Sequence, residues 1–289
     1  MTDSTGQPSV DSLLPPEMAE RAERIGAEKA RLEIGRLITL AVLAGAFIAF
    51  GGMFSLIAGV GVAGVLPYGL GRIVAGVVFS LGLILVIVGG AELFTGNNLI
   101  VMAWASGKLS VRDVLRAWSI VYIGNFIGAS ATAVFVFLSG HYADAGGGIG
   151  AAALASAHVK AELPFFSALM SGILANVLVC LAVWLCYSAR TTTDKILAIV
   201  PPVAAFVAAG FEHSVANMYL LPFALLIKTA APASFWNAIN ATPDLYGSLT
   251  WAALATNLVP VTLGNLIGGA ALVGAVYWFV YLRKPDKRT

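Results

Sequence analysis

Six apolar stretches dominate this chain, at roughly 37–62, 73–104, 114–138, 165–187, 196–227 and 251–282. Each reaches or exceeds the ~20 residues that an α-helix needs to cross about 30 Å of hydrocarbon. A chain in that medium must satisfy its own backbone groups, which leaves helices or a closed barrel, and runs of this length specify helices. With 59% hydrophobic and only 11% charged residues, the expected fold class is an all-α membrane protein with six transmembrane helices.

The second and fifth stretches, at about 32 residues each, are longer than a single span requires. Each also carries the frame Gly-x-Glu-x-x-x-x-Asn, once as Gly90-Ala91-Glu92-Leu93-Phe94-Thr95-Gly96-Asn97 and once as Gly210-Phe211-Glu212-His213-Ser214-Val215-Ala216-Asn217. An acidic residue at the middle of an inserted helix costs about 2.5–3.5 kcal/mol, so two of them at matching spacing mark a site. Helices 2 and 5 are therefore expected to be broken at mid-membrane, with Gly89, Gly90, Gly96 and Gly210 giving the backbone its freedom. A second echo, Gly124-Asn125-Phe126-Ile127-Gly128 against Gly264-Asn265-Leu266-Ile267-Gly268, makes the repeat unit three spans long. An odd number of spans inverts the second copy relative to the first, and the site then lies between the two inverted repeats. Glycines four apart also let helices approach closely.

Lys and Arg divide fourteen to three between alternate loops. Arg21, Arg24, Lys29, Arg31, Arg36, Lys108, Arg112, Arg116, Arg190, Lys195, Arg283, Lys284, Lys287 and Arg288 fall on one side, and Arg72, Lys160 and Lys228 on the other. The positive-inside rule places both termini in the cytoplasm. The domain plan is a cytoplasmic N-terminal segment with a helix (1–36), a first three-span repeat (37–138), an external linker (139–164), a second repeat (165–282) and a cytoplasmic tail (283–289). The linker, rich in small residues, is expected to be a loop. Trp104, Trp118, Trp184, Trp251 and Trp278 near segment ends and Trp236 in an outer loop fit interfacial belts. The N-terminus lacks the charged-then-apolar pattern of a signal peptide. Cys180 and Cys186 share one apolar segment and read as small core residues.

An anion crossing an apolar path needs an internal donor or positive charge. His213 is the only histidine inside an expected span, and imidazole serves either as a neutral donor or as a cation, which suits a small weak-acid anion that exchanges a proton. Glu92 and Glu212 either hold the broken helices or stand in the path. Asn97, Asn125, Asn176, Asn217 and Asn265 supply amides for freed backbone groups or for a polar ligand. Lys160 either draws anions to a mouth or is a solvated loop charge. No metal site or cofactor is expected, since a bis-histidine haem needs two membrane histidines and no Cys/His/Asp cluster is present. No basic block interleaved with aromatics points to nucleic acid. These features argue against an enzyme and for a transport protein embedded in the lipid bilayer.

Several of these motifs together resemble the formate/nitrite transporter family, and among its members the formate channels. They are Leu13-Leu14-Pro15-Pro16-Glu17-Met18-Ala19, Ala91-Glu92-Leu93-Phe94-Thr95, Gly172-Ile173-Leu174-Ala175-Asn176, Gly210 to Met218, and Pro260-Val261-Thr262-Leu263-Gly264-Asn265. The resemblance implies an aquaporin-like homopentamer in a bacterial inner membrane, with a pore in each protomer for formate and similar small monovalent anions. It implies that Leu83 and Phe94 form the cytoplasmic constriction and that Phe206 belongs to the periplasmic one. His213 is then the central anion-contacting or proton-exchanging residue and Thr95 its hydrogen-bond partner. Lys160 adds positive potential to the outer vestibule, Asn176 and Asn265 offer amides to the anion, and the N-terminal helix takes part in pH-dependent gating. One departure is Gly96-Asn97 after Thr95, where formate channels tend to carry small hydroxyl residues, so this loop leaves nitrite and hydrosulfide open as alternative substrates. A neutral-solute channel of the aquaporin type would share six spans, but its paired Asn-Pro-Ala motifs are absent.

Overall fold

A computed structural model describes residues 12–283. Residues 1–11 of the N-terminal segment, and Lys284, Lys287 and Arg288 in the tail, lie outside the described residues. Among those described there is no strand. Helix α1 (Pro15–Ala30) begins at Pro15-Pro16, where a missing N–H forfeits no helical bond. It buries Met18, Ala19, Ala22 and Gly26 against a 3-10 turn, Gly96–Ile100, and the short α4 (Val101–Ala105).

The first half consists of α2 (Ile34–Gly59), α3 (Tyr68–Gly89), the 3-10 turn with α4, and α5 (Val111–Leu138). The second half consists of α7 (Phe165–Ser188), α8 (Thr192–Ala209), α9 (Ser214–Ala230) and α11 (Trp251–Leu266). The last of these continues through a π-helical stretch, Ile267–Ala275, into α12 (Val276–Tyr281). Among the described residues, six helical segments are long and apolar enough to cross a membrane. Side chains start the helices deliberately. Ser110 and Asp113 form a reciprocal cap on α5, and Thr191 and Asp194 repeat it on α8.

Both long stretches break where the motifs predict. Gly90 ends α3 at φ +82° and Gly210 ends α8 at φ +76°, the left-handed conformation that glycine adopts without strain. The breaks are unequal. After Gly210 the chain re-enters a helix of 17 residues at Ser214, whereas after Gly90 it passes an irregular turn and a 3-10 segment before the five residues of α4.

The repeated glycine pairs do what their spacing foretells. A Cβ on Gly124 or Gly128 would strike α2 at Ala41 and the Val42 carbonyl, and one on Gly264 or Gly268 would strike α7 at the Leu169 and Ile173 carbonyls. Close van der Waals packing of small residues is what associates helices in lipid, where apolar burial between helices gives no driving force.

Two expectations need correction. The 139–164 linker is not a loop, because Gly148–Ala161 forms α6, which buries Ile149, Ala153 and Ala157 at helical spacing and packs on α9. Its alanines permit that close approach, and the same smallness hid the periodicity. Two of the tryptophans expected in interfacial belts are buried among protein side chains. Trp184 is buried with its ring stacked 4.0 Å from Tyr277, and Trp236 is buried beside Phe235 of the short α10 (Ala233–Ala238).

Candidate functional site

The two motifs build the same scaffold twice. Each glutamate lies just past the left-handed glycine, and an asparagine from the neighbouring glycine-rich helix ties down the irregular backbone. Asn125 donates to the Glu92 and Ala41 carbonyls at 2.9 and 2.7 Å and accepts the Phe94 N–H at 2.8 Å. Asn265 donates to the Glu212 and Gly172 carbonyls at 3.1 and 2.8 Å and accepts the Ser214 N–H at 2.9 Å. These bonds satisfy the polar groups that a broken helix frees in hydrocarbon. Asn176 likewise donates to the Thr95 and Asn265 carbonyls and to Asn98. The N–H groups of Asn176 and Asn265 are thus committed to the scaffold instead of being presented to a ligand.

The glutamate side chains turn away from these asparagines and meet a lysine. Glu212 accepts from Lys160 of α6 at 2.5 Å and from Asn217 at 2.6 Å. Glu92 accepts from Lys29 of α1 at 3.1 Å and from Asn97 at 2.8 Å. Sequence reasoning singled out Lys160 but missed Lys29, its counterpart. The clue was available, because two buried carboxylates in equivalent frames call for two cations. Lys160 is therefore no solvated loop charge.

Two cavities flank the waist of the fold. The larger, about 390 Å³, is lined by Arg72, Phe79, Lys160, Phe206, His213 and Tyr219 among others, and the second, about 230 Å³, by Arg21, Lys29, Leu83, Glu92, Asn97 and Lys195. They share no lining residue. On α3 their linings come within one turn, Phe79 on one side and Leu83 on the other, which is about 6 Å of helix rise. Phe206 meets Phe79 edge-on at 5.6 Å and lies 5.9 Å from the His213 ring. Phe94 lines neither cavity. Its ring packs edge-on against Tyr122 at 4.9 Å and borders an apolar recess with Trp118 and Thr262. Arg72, another residue the motifs did not flag, clasps the last carbonyls of α8 at Val207 and Ala208.

At the waist the imidazole of His213 bridges the two halves. It caps α9, its Nδ1 accepting the Ala216 N–H at 3.1 Å, while its Nε2 stands 2.9 Å from Thr95 Oγ1. A backbone N–H can only donate, so Nδ1 carries the lone pair and Nε2 the proton. The ring is the neutral tautomer, donating to Thr95, and the threonine O–H is then free to donate in turn. Both residues are buried, and Cys180 donates to the Thr95 carbonyl at 3.3 Å.

The chain matches the formate/nitrite transporter family over residues 16–279. It is 45% identical over 277 residues to the formate channel FocA of Escherichia coli (strain K12), covering 96% of this chain and 97% of that protein. It is 38% identical over 279 residues to the formate channel FocB of the same strain, covering 96% of this chain and 98% of that one. Among solved structures, a pentameric formate channel with formate bound superposes with a TM-score of 0.82 at 41% identity, covering 86% of this chain and 98% of the other. An FNT family ion channel superposes at 0.76 with 27% identity over 93% of this chain and 99% of that one. A match that runs through both repeats and both broken helices makes this multi-pass membrane protein a member of the formate/nitrite transporter family.

Proposed function

We propose that the chain forms a transmembrane channel for formate and related small monovalent anions, assembled as a homopentamer with one pathway per protomer. The observation that carries this reading is the buried His213–Thr95 hydrogen bond at the waist between two lysine-bearing cavities. Lys160 and Lys29 draw an anion into the cavities, and their pairing with Glu212 and Glu92 keeps each site near neutral so that the ion is not trapped. The step across the waist is short, about one helical turn, and Phe206 and Leu83 exclude hydrated competitors there. The Thr95 hydroxyl and the His213 Nε2–H supply the donors that replace water. Phe94 acts from behind Thr95 by fixing the loop that carries it.

Proton exchange at His213 requires a charged ring with hydrogens on both nitrogens. The Ala216 N–H then faces a donor, so protonation is coupled to release of the α9 cap. The termini lie in the cytoplasm of a bacterial inner membrane, with α1 over the cytoplasmic cavity. Bilayer currents with formate, nitrite and hydrosulfide at acidic and neutral pH test the reading. Uncoupled flux carries charge, one-to-one proton symport does not, and absence of both current and vesicle uptake for all three anions would refute it.

A further inference from the structure

Of the cations on the sparsely charged side of the chain, Arg72 and Lys160 line the larger cavity and Lys228 does not. Lys160 is neutralised by Glu212. Arg72 has no carboxylate partner among the described residues, and no Asp or Glu lines that cavity. Its half-buried guanidinium is fixed in place, Nε donating to the Ala208 carbonyl at 3.1 Å and Nη2 to the Val207 carbonyl at 2.5 Å. Tyr68, Gly71 and Ala75 around it on α3, and Val207 and Gly210 across from it, line the same cavity, and a Cβ on Gly210 would stand 3.2 Å from Nη2. Nη1 bonds to no protein group among the described residues and is not enclosed, so its two N–H donors are open to solvent. A neutral donor would serve the α8 carbonyls, whereas an ionised group without a counter-charge inside a membrane span is costly and marks a site.

We propose that Arg72 is the anion-capture residue of the larger cavity, the net positive charge that concentrates monovalent anions at its mouth before they reach the waist. It precedes Phe79 by seven residues on α3, which places it about 10 Å along the helix from the constriction. Apolar walls focus the field of such a charge along the cavity. Lys160, tied to Glu212, adds donors but little net charge. The smaller cavity repeats the plan, since Lys29 pairs with Glu92 while Arg21 clasps the Tyr187 carbonyl near the end of α7 and has no carboxylate partner among the described residues. This rests on the small-anion reading above.

The test compares Arg72→Gln, which removes the charge but keeps a donor for the α8 carbonyls, with Arg72→Lys, which keeps the charge but loses the planar clasp. Formate uptake into right-side-out membrane vesicles is measured across concentration at two ionic strengths, set with sodium gluconate, with the melting temperature of each purified protein alongside. In Arg72→Gln the half-saturating formate concentration should rise about tenfold, the low end of what focused fields contribute, with the maximal rate within about twofold. The variant should also lose the salt dependence of half-saturation that the wild type shows. Arg72→Lys should restore both to within about twofold of the wild type. Half-saturation unchanged in both variants, with maximal rate and melting temperature falling together, would make Arg72 a cap of α8 alone and overturn the proposal, as would a lysine variant that behaves like the glutamine one. Wild-type vesicles that take up neither formate, nitrite nor hydrosulfide overturn the channel reading as well.

Discussion

The buried pair of Lys160 and Glu212 gives a prediction whose size follows from the geometry. Lys160 keeps 18% of its side chain exposed toward the cavity, whereas Glu212 keeps only 6%. Removing one member of a buried pair costs about 3–5 kcal/mol because the other charge is left uncompensated. In Lys160→Met the stranded charge is the enclosed carboxylate, which retains only the Asn217 N–H, so about 3 kcal/mol is expected. In Glu212→Gln the stranded ammonium can hydrate in the cavity, and partial exposure reduces the loss to about 1–2 kcal/mol. The double variant leaves no charge and should lie within about 1 kcal/mol of the wild type. The coupling energy is then about 4 kcal/mol. At roughly 2–4 °C per kcal/mol, Lys160→Met should melt about 6–12 °C below the wild type, Glu212→Gln about 2–8 °C below, and the double variant within about 4 °C. The measurement is thermal unfolding of the purified protein in detergent. Equal losses for the two single variants, or a double variant that loses their sum, would refute the asymmetry argument.

Other consequences are equally concrete. His213→Phe should abolish pH-linked switching between formate export and import in vesicles, while His213→Asn, which preserves an N-cap acceptor worth about 1 kcal/mol, should lose flux with little loss of stability. Phe206→Ala should admit larger organic anions, read as lactate uptake in liposomes that the wild type excludes. Asn265→Leu leaves the Ser214 N–H and the Glu212 carbonyl unpaired and removes a second bond from the Gly172 carbonyl, so a loss of about 3–5 kcal/mol should appear as a failure to assemble in detergent, and Asn125→Leu should behave alike. Hydrogen bonds from the Gly35 and Arg36 N–H groups hold the Glu33 carboxyl below its ordinary value of 4.5. That contribution is present above the ordinary value and fades as pH falls through the lowered one, so Glu33→Gln should flatten the acid limb of the stability curve below about pH 4.5.

The halves of this fold differ in how far local chemistry announces them. Hydrocarbon imposes rules that act within a single segment: a minimum apolar length, a penalty on charge and a need for glycine where a helix breaks. Those rules made the six spans, the breaks at Gly90 and Gly210 and the paired Glu-Asn frames readable, and they made His213 stand out. The helix α6 escaped notice because only Ile149 and Leu154 stand out on a buried face otherwise made of glycine and alanine, residues that pack closely without a hydrophobic signature. Lys29 escaped because it lies in a polar helix outside every apolar stretch.

Partnership across the chain is what only the tertiary structure decided. Thr95 and His213 are 118 positions apart, Lys29 and Glu92 are 63 apart, and Lys160 and Glu212 are 52 apart. No local rule pairs such residues, because the free energy of each contact depends on which helices pack and how deeply. The same packing fixed the tautomer of His213, through the N–H at the start of α9, and left the Tyr219 hydroxyl without a partner among the described residues. The sequence alone determined that polar groups must gather at mid-membrane between two inverted halves. Which of them bond to each other, and which remain free for a passing ion, depended on the approach of helices that only the folded chain brings together.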